Sequence, residues 1–327
     1  MKKLFFLIIT AAGILAIYSC DDSIEPFTDF KQKYVLNCIL NGDSSFQVAT
    51  LTSDYKGTTL DPYSNTTDPS IEGALIRVWW QDSVAIFKDS SIARFDSSHY
   101  TTPYKFYYAK NFIPRARISY QIEAQLPNGK KLRSTLSPPS GIDFIYVISD
   151  SAMPIQGQDG ININWINYHD YTVYISHVVI YYYLSGTGNK RYEKYVPQSY
   201  TEYDGKYLPI EPKPDILTDC SVDYKTIDRA MAEISGDDPD KSKYQIISAA
   251  VEVYAFSKAL STYYALSQRL GSDYTVILDE PDLTNISGGL GIFGMYLKKR
   301  YPLRINTEYI RSFGYTPVLK DNQSMRF

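Results

Sequence analysis

Short stretches in which apolar and polar residues alternate dominate the first half of the chain. These stretches cover residues 34–40, 47–52, 74–80, 83–88, 105–109, 118–125 and 131–135. Alternation with a period of two predicts β-strands, and Pro127, Asn128 and Gly129 supply a hairpin turn between the last two. Seven short strands over about 100 residues predict an immunoglobulin-like β-sandwich, which we assign to residues 34–137.

The alternation resumes beyond Pro138 and Pro139, which we take as a domain boundary. Residues 142–327 are predicted to form a second β-rich domain, with strands at 144–149, 161–166, 171–184, 244–254, 276–278, 290–296 and 303–305. Apolar residues at helical spacing near 257–270, followed by Gly271, predict a helix, and a shorter one is predicted at 224–234. The predicted fold class is therefore mainly β: an immunoglobulin-like sandwich followed by a β-rich domain with one or two helices.

The first twenty residues have the pattern of an export signal. Lys2 and Lys3 precede an uncharged apolar run, and Ser19 precedes Cys20. The run is shorter than the roughly 20 apolar residues that a membrane-spanning helix needs, so residues 1–19 are predicted to be a signal peptide. The cysteine lies in a sequence similar to a bacterial lipobox, which predicts that Cys20 is lipidated and that residues 20–33 form a tether to a membrane. A plain signal peptide cut elsewhere is the alternative.

Acidic residues follow this cysteine directly and bear on localisation. Asp21, Asp22 and Glu25 resemble the export signal of Bacteroidota surface lipoproteins. In other Gram-negative lineages, an aspartate directly after the cysteine instead favours retention in the inner membrane. We expect a lipid-anchored protein of the outer membrane, exposed on the cell surface.

Composition narrows the classes of partner. The formal net charge of −3 provides no basic surface of the kind that nucleic acids need, so we expect no nucleic-acid partner. The 31 tyrosines suit strands and partly hydrated interfaces. Cys38 and Cys220 are predicted to be separate buried thiols, although the compartment also permits a disulfide. No cysteine or histidine spacing typical of zinc occurs.

A glycine pattern and several sequence motifs bear on catalysis. Gly289, Gly291 and Gly294 match the spacing of a dinucleotide-binding loop, but no βαβ pattern surrounds them. The glycines instead predict a close approach between two backbones. The acidic loop at 237–240 lacks the further ligands of a calcium loop, and neither HExxH nor GxSxG occurs. We predict no cofactor, no metal site and no catalytic residue, and therefore a protein that is not an enzyme.

Aromatic side chains are the remaining candidates for ligand or partner contacts. Such rings can stack on an oligosaccharide or pack on a peptide or protein. Because strand side chains alternate between two faces, we expect at least half of the aromatic residues to belong to the core. The candidates are Trp79, Trp80, Trp165, Tyr181, Tyr182 and Tyr183.

The segment 285–294, with sequence NISGGLGIFG, carries a resemblance to a known family. It is similar to the C-terminal signature of the Bacteroidota lipoprotein family catalogued as domain of unknown function 4249. The opening YVLN at 34–37, the segment IEGALIRV at 71–78 and the strand–turn–strand at 120–138 also resemble that family, so the resemblance covers most of the mature chain. One departure is the sequence RAR at 115–117, where the family often has Pro-Gly. The signature glycines, to which a structural role is assigned, are Gly288, Gly289, Gly291 and Gly294.

The resemblance implies an outer-membrane or periplasm-facing lipoprotein with an immunoglobulin-like first domain. Such proteins are often encoded beside TonB-dependent transporters, and the family has no assigned catalysis. We therefore expect an accessory protein of such a transporter, which binds the barrel, an oligosaccharide or peptide ligand, or both. An adhesion or envelope-structural module is the alternative, and a hydrolase is a third hypothesis.

Overall fold

The computed structural model describes residues 31–54, 65–139, 141–145, 152–168, 172–188, 190–270 and 283–318, with the backbone alone for 265–270. Strands make up 49% of it and helices 10%, which confirms the mainly β prediction. The predicted signal peptide, Cys20 and the strand predicted at 276–278 lie outside the described residues.

The first seven strands form two packed layers. Their bounds are β1 Tyr34–Asn41, β2 Gln47–Ser53, β3 Leu75–Trp80, β4 Ser83–Ile92, β5 Tyr104–Ala109, β6 Tyr120–Gln125 and β7 Lys131–Leu136. One layer has the order β1-β2-β5-β4 and the other β3-β6-β7, while the first half of β4 pairs with β3 and its second half with β5. This is the strand order of an immunoglobulin constant-type sandwich, and the prediction of such a sandwich is confirmed.

The alternating apolar side chains of the two layers meet in one core. Leu36, Ile76, Ile122 and Leu132 have essentially no exposed surface there. Tyr120, at the start of β6, accepts a hydrogen bond at 2.7 Å from the backbone N–H of Arg115. A tyrosine that bonds back to the chain a few residues upstream is a recurring feature of immunoglobulin-like folds. It fixes the turn at residues 115–117.

The second half of the chain adds a larger sheet that is covered on one side by a small sheet and two helices, and at one end of its other side by a third helix. Its elements are β8 Asp143–Ile145, β9 Gly160–Ile166, β10 Tyr174–Leu184, β11 Arg191–Val196, β12 Ser199–Tyr203, β13 Lys206–Ile210, β14 Asp219–Asp223, α1 Tyr224–Ala232, a 3-10 turn Lys241–Lys243, β15 Tyr244–Phe256, α2 Lys258–Leu270, β16 Phe293–Leu303, α3 Thr307–Ser312 and β17 Thr316–Pro317. Strands pair in the order β11-β10-β15-β16, and β16 continues into β1 by parallel pairing. The small sheet β14-β9-β8, with α1 and α3, packs against one side of this sheet and encloses a second core.

Helix α1 shows how local sequence fixes one of these elements. The side chain of Asp223 caps it by accepting a hydrogen bond at 2.6 Å from the N–H of Thr226. Its buried positions Ile227, Ala230 and Met231 follow helical spacing and face the second core. The helix therefore matches the shorter helix predicted at 224–234.

The glycine-rich segment connects the two halves. Ser287 exchanges backbone hydrogen bonds with Arg133 on β7, and the N–H of Leu290 donates to the carbonyl of Tyr34 on β1 at 2.7 Å. At Gly291 the backbone has a φ of +114°, and a Cβ there would overlap the carbonyl oxygen of Leu36. This close backbone approach is what the glycine spacing predicted in place of a cofactor loop.

The segment also delivers side chains to the first core. Ile286, Phe293 and Met295 are buried among the residues of the sandwich. The C-terminal part of the chain thus completes the hydrophobic core of the N-terminal unit. The sequence analysis did not anticipate this contribution, and the domain boundaries themselves stay predictions.

Two parts of the second half differ from the predictions. The strands predicted at 290–296 and 303–305 are one strand, β16, because its charged residues 298–300 pair with β15 instead of forming a loop. Strand β11 and the hairpin β12–β13 were not predicted. They have few buried positions, so their apolar pattern is weak. No helix within the described residues combines the length and apolar character needed to cross a membrane.

Candidate binding face

Three of the aromatic candidates belong to the cores. Trp165 is 2% exposed and packs edge-on against Phe144 and Tyr174. Trp80 stacks on Phe112 with ring centroids 4.4 Å apart at the edge of the sandwich core. Tyr182 packs against the second core. These three residues therefore have the role in the core that strand alternation predicts for at least half of the aromatic residues.

The other three candidates do not lie in one site. Trp79 is on the outer side of the sandwich, where the guanidinium of Arg77 lies 4.9 Å from its ring centroid. Tyr181 and Tyr183 alternate with Tyr182 along β10, so they point away from the second core. Tyr181 is nevertheless only 1% exposed and packs in a smaller buried cluster with Val179 and Ala250. Four of the six candidates therefore lie in or against three buried clusters, and only Trp79 and Tyr183 lie at the surface, partly exposed.

The side of the sheet around Tyr181 carries a cluster of polar and charged side chains. Val178, Ile180, Val251 and Val253 face the second core, so the residues between them face the opposite side. We call that side of strands β11, β10, β15 and β16 the binding face. Its polar and aromatic residues are His177, Tyr181, Arg191, Glu193, Tyr195, Glu252, Tyr254, Lys298 and Arg300.

Glu252 is the centre of the binding face and has no exposed surface. Its Oε1 accepts from Arg300 Nε at 2.6 Å and from the hydroxyl of Tyr181 at 2.7 Å. Its Oε2 lies 2.6 Å from Lys298 Nζ and accepts from the hydroxyl of Tyr254 at 3.2 Å. Each carboxylate oxygen thus has two partners, which is the arrangement that makes a buried charge tolerable.

The electrostatics follow from these contacts. Burial alone would raise the pKa of Glu252, but hydrogen bonds from Lys298, Arg300 and Tyr181 outweigh it and hold the pKa at about 2. Burial, together with the hydrogen bond to the ionised Glu252, raises the pKa of Tyr181. At neutral pH, Glu252 is therefore ionised, and Tyr181 keeps its proton and donates a hydrogen bond to it.

A row of aromatic rings crosses the same face. The imidazole of His177 lies edge-on to Tyr195 at 5.4 Å and to Tyr254 at 5.5 Å, and Tyr254 lies 5.9 Å from Tyr296. Burial lowers the pKa of His177, so the ring is neutral at pH 7. Tyr195, which is 43% exposed, forms the open end of the row.

Cations lie over these rings and complete the surface. Arg191 lies 4.8 Å from the ring centroid of Tyr181, and Lys298 lies 5.1 Å from that of Tyr254. The side chains of Arg191 and Arg300 are 44% and 31% exposed. The face therefore presents guanidinium and phenol groups to solvent, which are the groups enriched where proteins recognise partners.

This arrangement favours binding over acid–base chemistry. A carboxyl with a pKa of about 2 and four partners cannot give or take a proton near pH 7. In the part of the chain that the structure describes, no three potential metal ligands lie together. A cavity of about 190 Å³ between β4 and β5 is lined by Glu72, Asp89 and Lys105, and it is smaller than the roughly 300 Å³ at which small-molecule pockets begin.

Most of the binding face is not predictable from the sequence. Tyr181 is a candidate there, but its partners Glu252, Lys298 and Arg300 lie on two strands far along the chain. One signal was available: a lone glutamate in the otherwise apolar stretch 244–256 predicts a buried charge that needs a cation. The cation itself could not be named, because strand pairing decides which residues lie opposite.

No protein-family profile matches the chain, and no curated protein matches it by sequence. The family resemblance stays a prediction that rests on the sequence segments quoted above.

Proposed function

We propose that the protein is a non-catalytic lipoprotein of the outer membrane, anchored through Cys20 and exposed on the cell surface, that assists a TonB-dependent transporter in nutrient uptake. It binds the transporter, the nutrient, or both, and it needs no cofactor. The observation that carries the proposal is the binding face, where the partly exposed side chains of Arg191, Tyr195 and Arg300 lie around a buried carboxylate whose two oxygens are already held by hydrogen bonds and ion pairs. The lipobox-like sequence and the family resemblance supply the location and the kind of partner.

A deletion strain tests the proposed role. Growth is measured on a panel of single oligosaccharides and peptides, each at limiting concentration. We expect slower growth on at least one of them, restored by the wild-type gene. A gene that carries Tyr195→Ala and Arg191→Gln, two changes on the exposed part of the binding face, is expected to restore growth incompletely.

A matched change elsewhere is the control for the growth assay. Tyr104→Ala removes a tyrosine of similar exposure, 40%, from the sandwich and is expected to restore growth fully. Unchanged growth of the deletion strain on every nutrient would contradict the proposal.

The alternative is an adhesion or envelope-structural protein without a small ligand. It is favoured by the small size of the cavity between β4 and β5, which offers little room for a small ligand. In that case the deletion strain would grow normally on every nutrient and attach less well to surfaces or to neighbouring cells.

A further inference from the structure

The outer side of strands β3, β4, β6 and β7 is an exposed surface that carries apolar residues. Alternate residues of these strands fill the sandwich core, so the residues between them face outward. Leu75, Val84 and Ile86 are 41%, 47% and 54% exposed there, and the partly exposed Trp79 lies opposite Val84. We call this side of the four strands the basic sandwich face, for the cations that it also carries. Exposed apolar patches of this kind mark interaction sites.

Cations surround these apolar residues. Arg77, Lys131 and Arg133 lie 2.8, 3.5 and 2.7 Å from the carboxylate of Glu123. Lys88 lies on the outward side of β4 and is exposed. Glu123 is the only acidic residue on this side of the four strands, so four cations face one carboxylate and the formal net charge is +3.

Acidic residues next to these strands along the chain leave most of this charge in place. Glu72 and Asp89 line the cavity between β4 and β5, where Lys105 lies 2.8 Å from Glu72. The turns at the two ends of the face contribute Asp82 and Lys130, one charge of each sign. A surface that covers the basic sandwich face should therefore be anionic next to an apolar layer.

The chain enters the sandwich beside this face. Tyr34, the first residue of β1, accepts a hydrogen bond at 2.8 Å from the side chain of Asn128 in the β6–β7 turn. Lys130 Nζ in the same turn lies 4.9 Å from the ring centroid of Tyr34. The proposed tether, residues 20–33, therefore joins the sandwich at one end of the basic sandwich face. Fully extended, it spans at most roughly 45 Å, so the face stays close to the anchored membrane.

The basic sandwich face and the binding face lie on opposite sides of the long sheet. Phe293 and Met295 on β16 point into the sandwich core, and β3, β6 and β7 form the far layer of that core. Lys298 and Arg300 alternate with these residues along β16 and therefore point to the other side. A molecule that rests on its basic sandwich face turns the binding face away from the surface beneath it.

We propose that the basic sandwich face docks on the anionic lipid surface of the membrane that holds the anchor, and that this docking turns the binding face outward. The cations contact headgroup phosphates, while Trp79 and the neighbouring aliphatic side chains enter the boundary between headgroups and acyl chains. A lipid surface supplies both the anions and the apolar layer, and the short tether keeps it at a high effective concentration. The proposal rests on the proposed anchor at Cys20, because the anchor decides which membrane is within reach.

Co-sedimentation with vesicles tests the proposal on residues 20–327 with Cys20→Ser, a chain that lacks the lipid and keeps every described residue. The vesicles consist of phosphatidylcholine alone or with about one third phosphatidylglycerol. We expect binding to the anionic vesicles, at least about tenfold weaker binding to the neutral ones, and a loss of binding as salt is added. The vesicles contain no transporter, so the result does not depend on whether a barrel co-purifies with the lipoprotein.

Two variants remove the apolar and the charged contribution separately. Val84→Ser with Ile86→Ser removes two exposed aliphatic side chains. Lys88→Gln with Lys131→Gln removes two cations and leaves Glu123 its two arginine partners. We expect each variant to bind anionic vesicles at least about tenfold more weakly than the parent.

Matched changes elsewhere are the controls for these variants. Ile39→Ser with Val48→Ser removes aliphatic side chains that are 43% and 37% exposed on β1 and β2. Lys206→Gln with Lys213→Gln removes two exposed cations from the region of the hairpin β12–β13. Both controls should bind anionic vesicles like the parent, and circular dichroism checks that every variant is folded.

Quenching of tryptophan emission by brominated acyl chains locates the contact. We expect quenching in the parent and its loss in Trp79→Phe, because Trp165 is 2% exposed and Trp80 stacks on Phe112. Quenching that persists in Trp79→Phe, or folded basic-face variants that bind like the parent, would overturn the proposal. A parent that binds neither kind of vesicle, or both equally, would also overturn it, and the basic sandwich face would then serve an acidic protein or polysaccharide.

Discussion

Replacement of Glu252 by glutamine tests whether the binding face is held together by a buried charge. Glu252→Gln keeps the shape of the side chain and reproduces its protonated, neutral state. Lys298 and Arg300, each 2.6 Å from the carboxylate, then lose their counter-charge. We expect a less stable protein at neutral pH, because removing one partner leaves buried charge without compensation.

The size of the effect follows from the pKa. Folding lowers the pKa of Glu252 from its ordinary 4.5 to about 2. Because the folded-state pKa is the lower one, the ionised carboxylate stabilises the protein above pH 4.5, and this stabilisation is lost as the pH falls toward 2. At about 1.4 kcal/mol per pKa unit, the carboxylate contributes about 3 kcal/mol at pH 7 and about 1 kcal/mol at pH 3.

Urea unfolding of wild type and Glu252→Gln at pH 7, 5, 4 and 3 measures this difference. Tryptophan emission follows unfolding, and Trp165 contributes to it from the core beneath the binding face. The matched control is Glu193→Gln, on the same face, whose side chain is 31% exposed and lies 3.3 Å from Arg191. An exposed pair contributes about 1 kcal/mol at most, so the control should differ little from wild type at any pH.

If the free energy of unfolding differs between wild type and Glu252→Gln by the same amount from pH 7 to pH 3, this reasoning is refuted. It is also refuted if Glu252→Gln lowers the free energy of unfolding at pH 7 no more than Glu193→Gln does. Either result would mean that Glu252 contributes through shape or through hydrogen bonds that glutamine also makes.

Three further predictions concern the fold. Gly291→Ala should prevent the segment 283–292 from packing on β1, because residue 291 has a φ of +114° and the new Cβ would overlap the backbone oxygen of Leu36. We expect a lower yield of folded protein, which limited proteolysis would show. Tyr120→Phe should lower the free energy of unfolding by about 1 kcal/mol in urea, the usual contribution of one hydrogen bond, and an unchanged value would contradict the role of its 2.7 Å contact. Burial raises the pKa of Cys38 to about 12 and that of Cys220 to about 11. Neither thiol should therefore react with Ellman's reagent at pH 8 until denaturant is added, and a reaction in the native state would contradict their burial.

The immunoglobulin-like half was predictable because its strands are buried on one side only. The alternation in β1, β2 and β3 shows in the sequence as it does in the burial pattern, and only the ends of the strands differ by a few residues. Helix α1 was predictable for a similar reason, since its buried positions follow helical spacing. Local pattern was sufficient wherever each element has one apolar side.

Long-range pairing accounts for the rest of the fold. Nothing local to β16 indicates that it pairs with β1 across more than 250 residues of chain, or that Phe293 enters the first core. The hairpin β12–β13 was missed because its residues are exposed, so it carries no burial pattern at all. Such an element is fixed by its turn and by its contacts with α1, not by its own apolar residues.

The candidate site was predictable in part. The run Tyr181–Tyr183 is a candidate in the sequence, and alternation correctly predicts that its members divide between the two sides of the sheet, although Tyr181, on the side away from the second core, is itself buried. The charged partners around Glu252 were not predicted, because three strands must be aligned before Tyr181, Lys298 and Arg300 meet. A buried polar network of this kind is a property of the register and not of any one segment.

The measurement that tests the proposed function most directly is affinity purification of the tagged, full-length lipoprotein from detergent-solubilised outer membranes, with the co-purifying proteins identified by mass spectrometry. We predict recovery of a TonB-dependent barrel in a fixed stoichiometry with the lipoprotein, and a lower recovery with the Arg191→Gln and Tyr195→Ala variant of the binding face. Recovery of the lipoprotein without any barrel, from membranes in which both are abundant, would contradict the account.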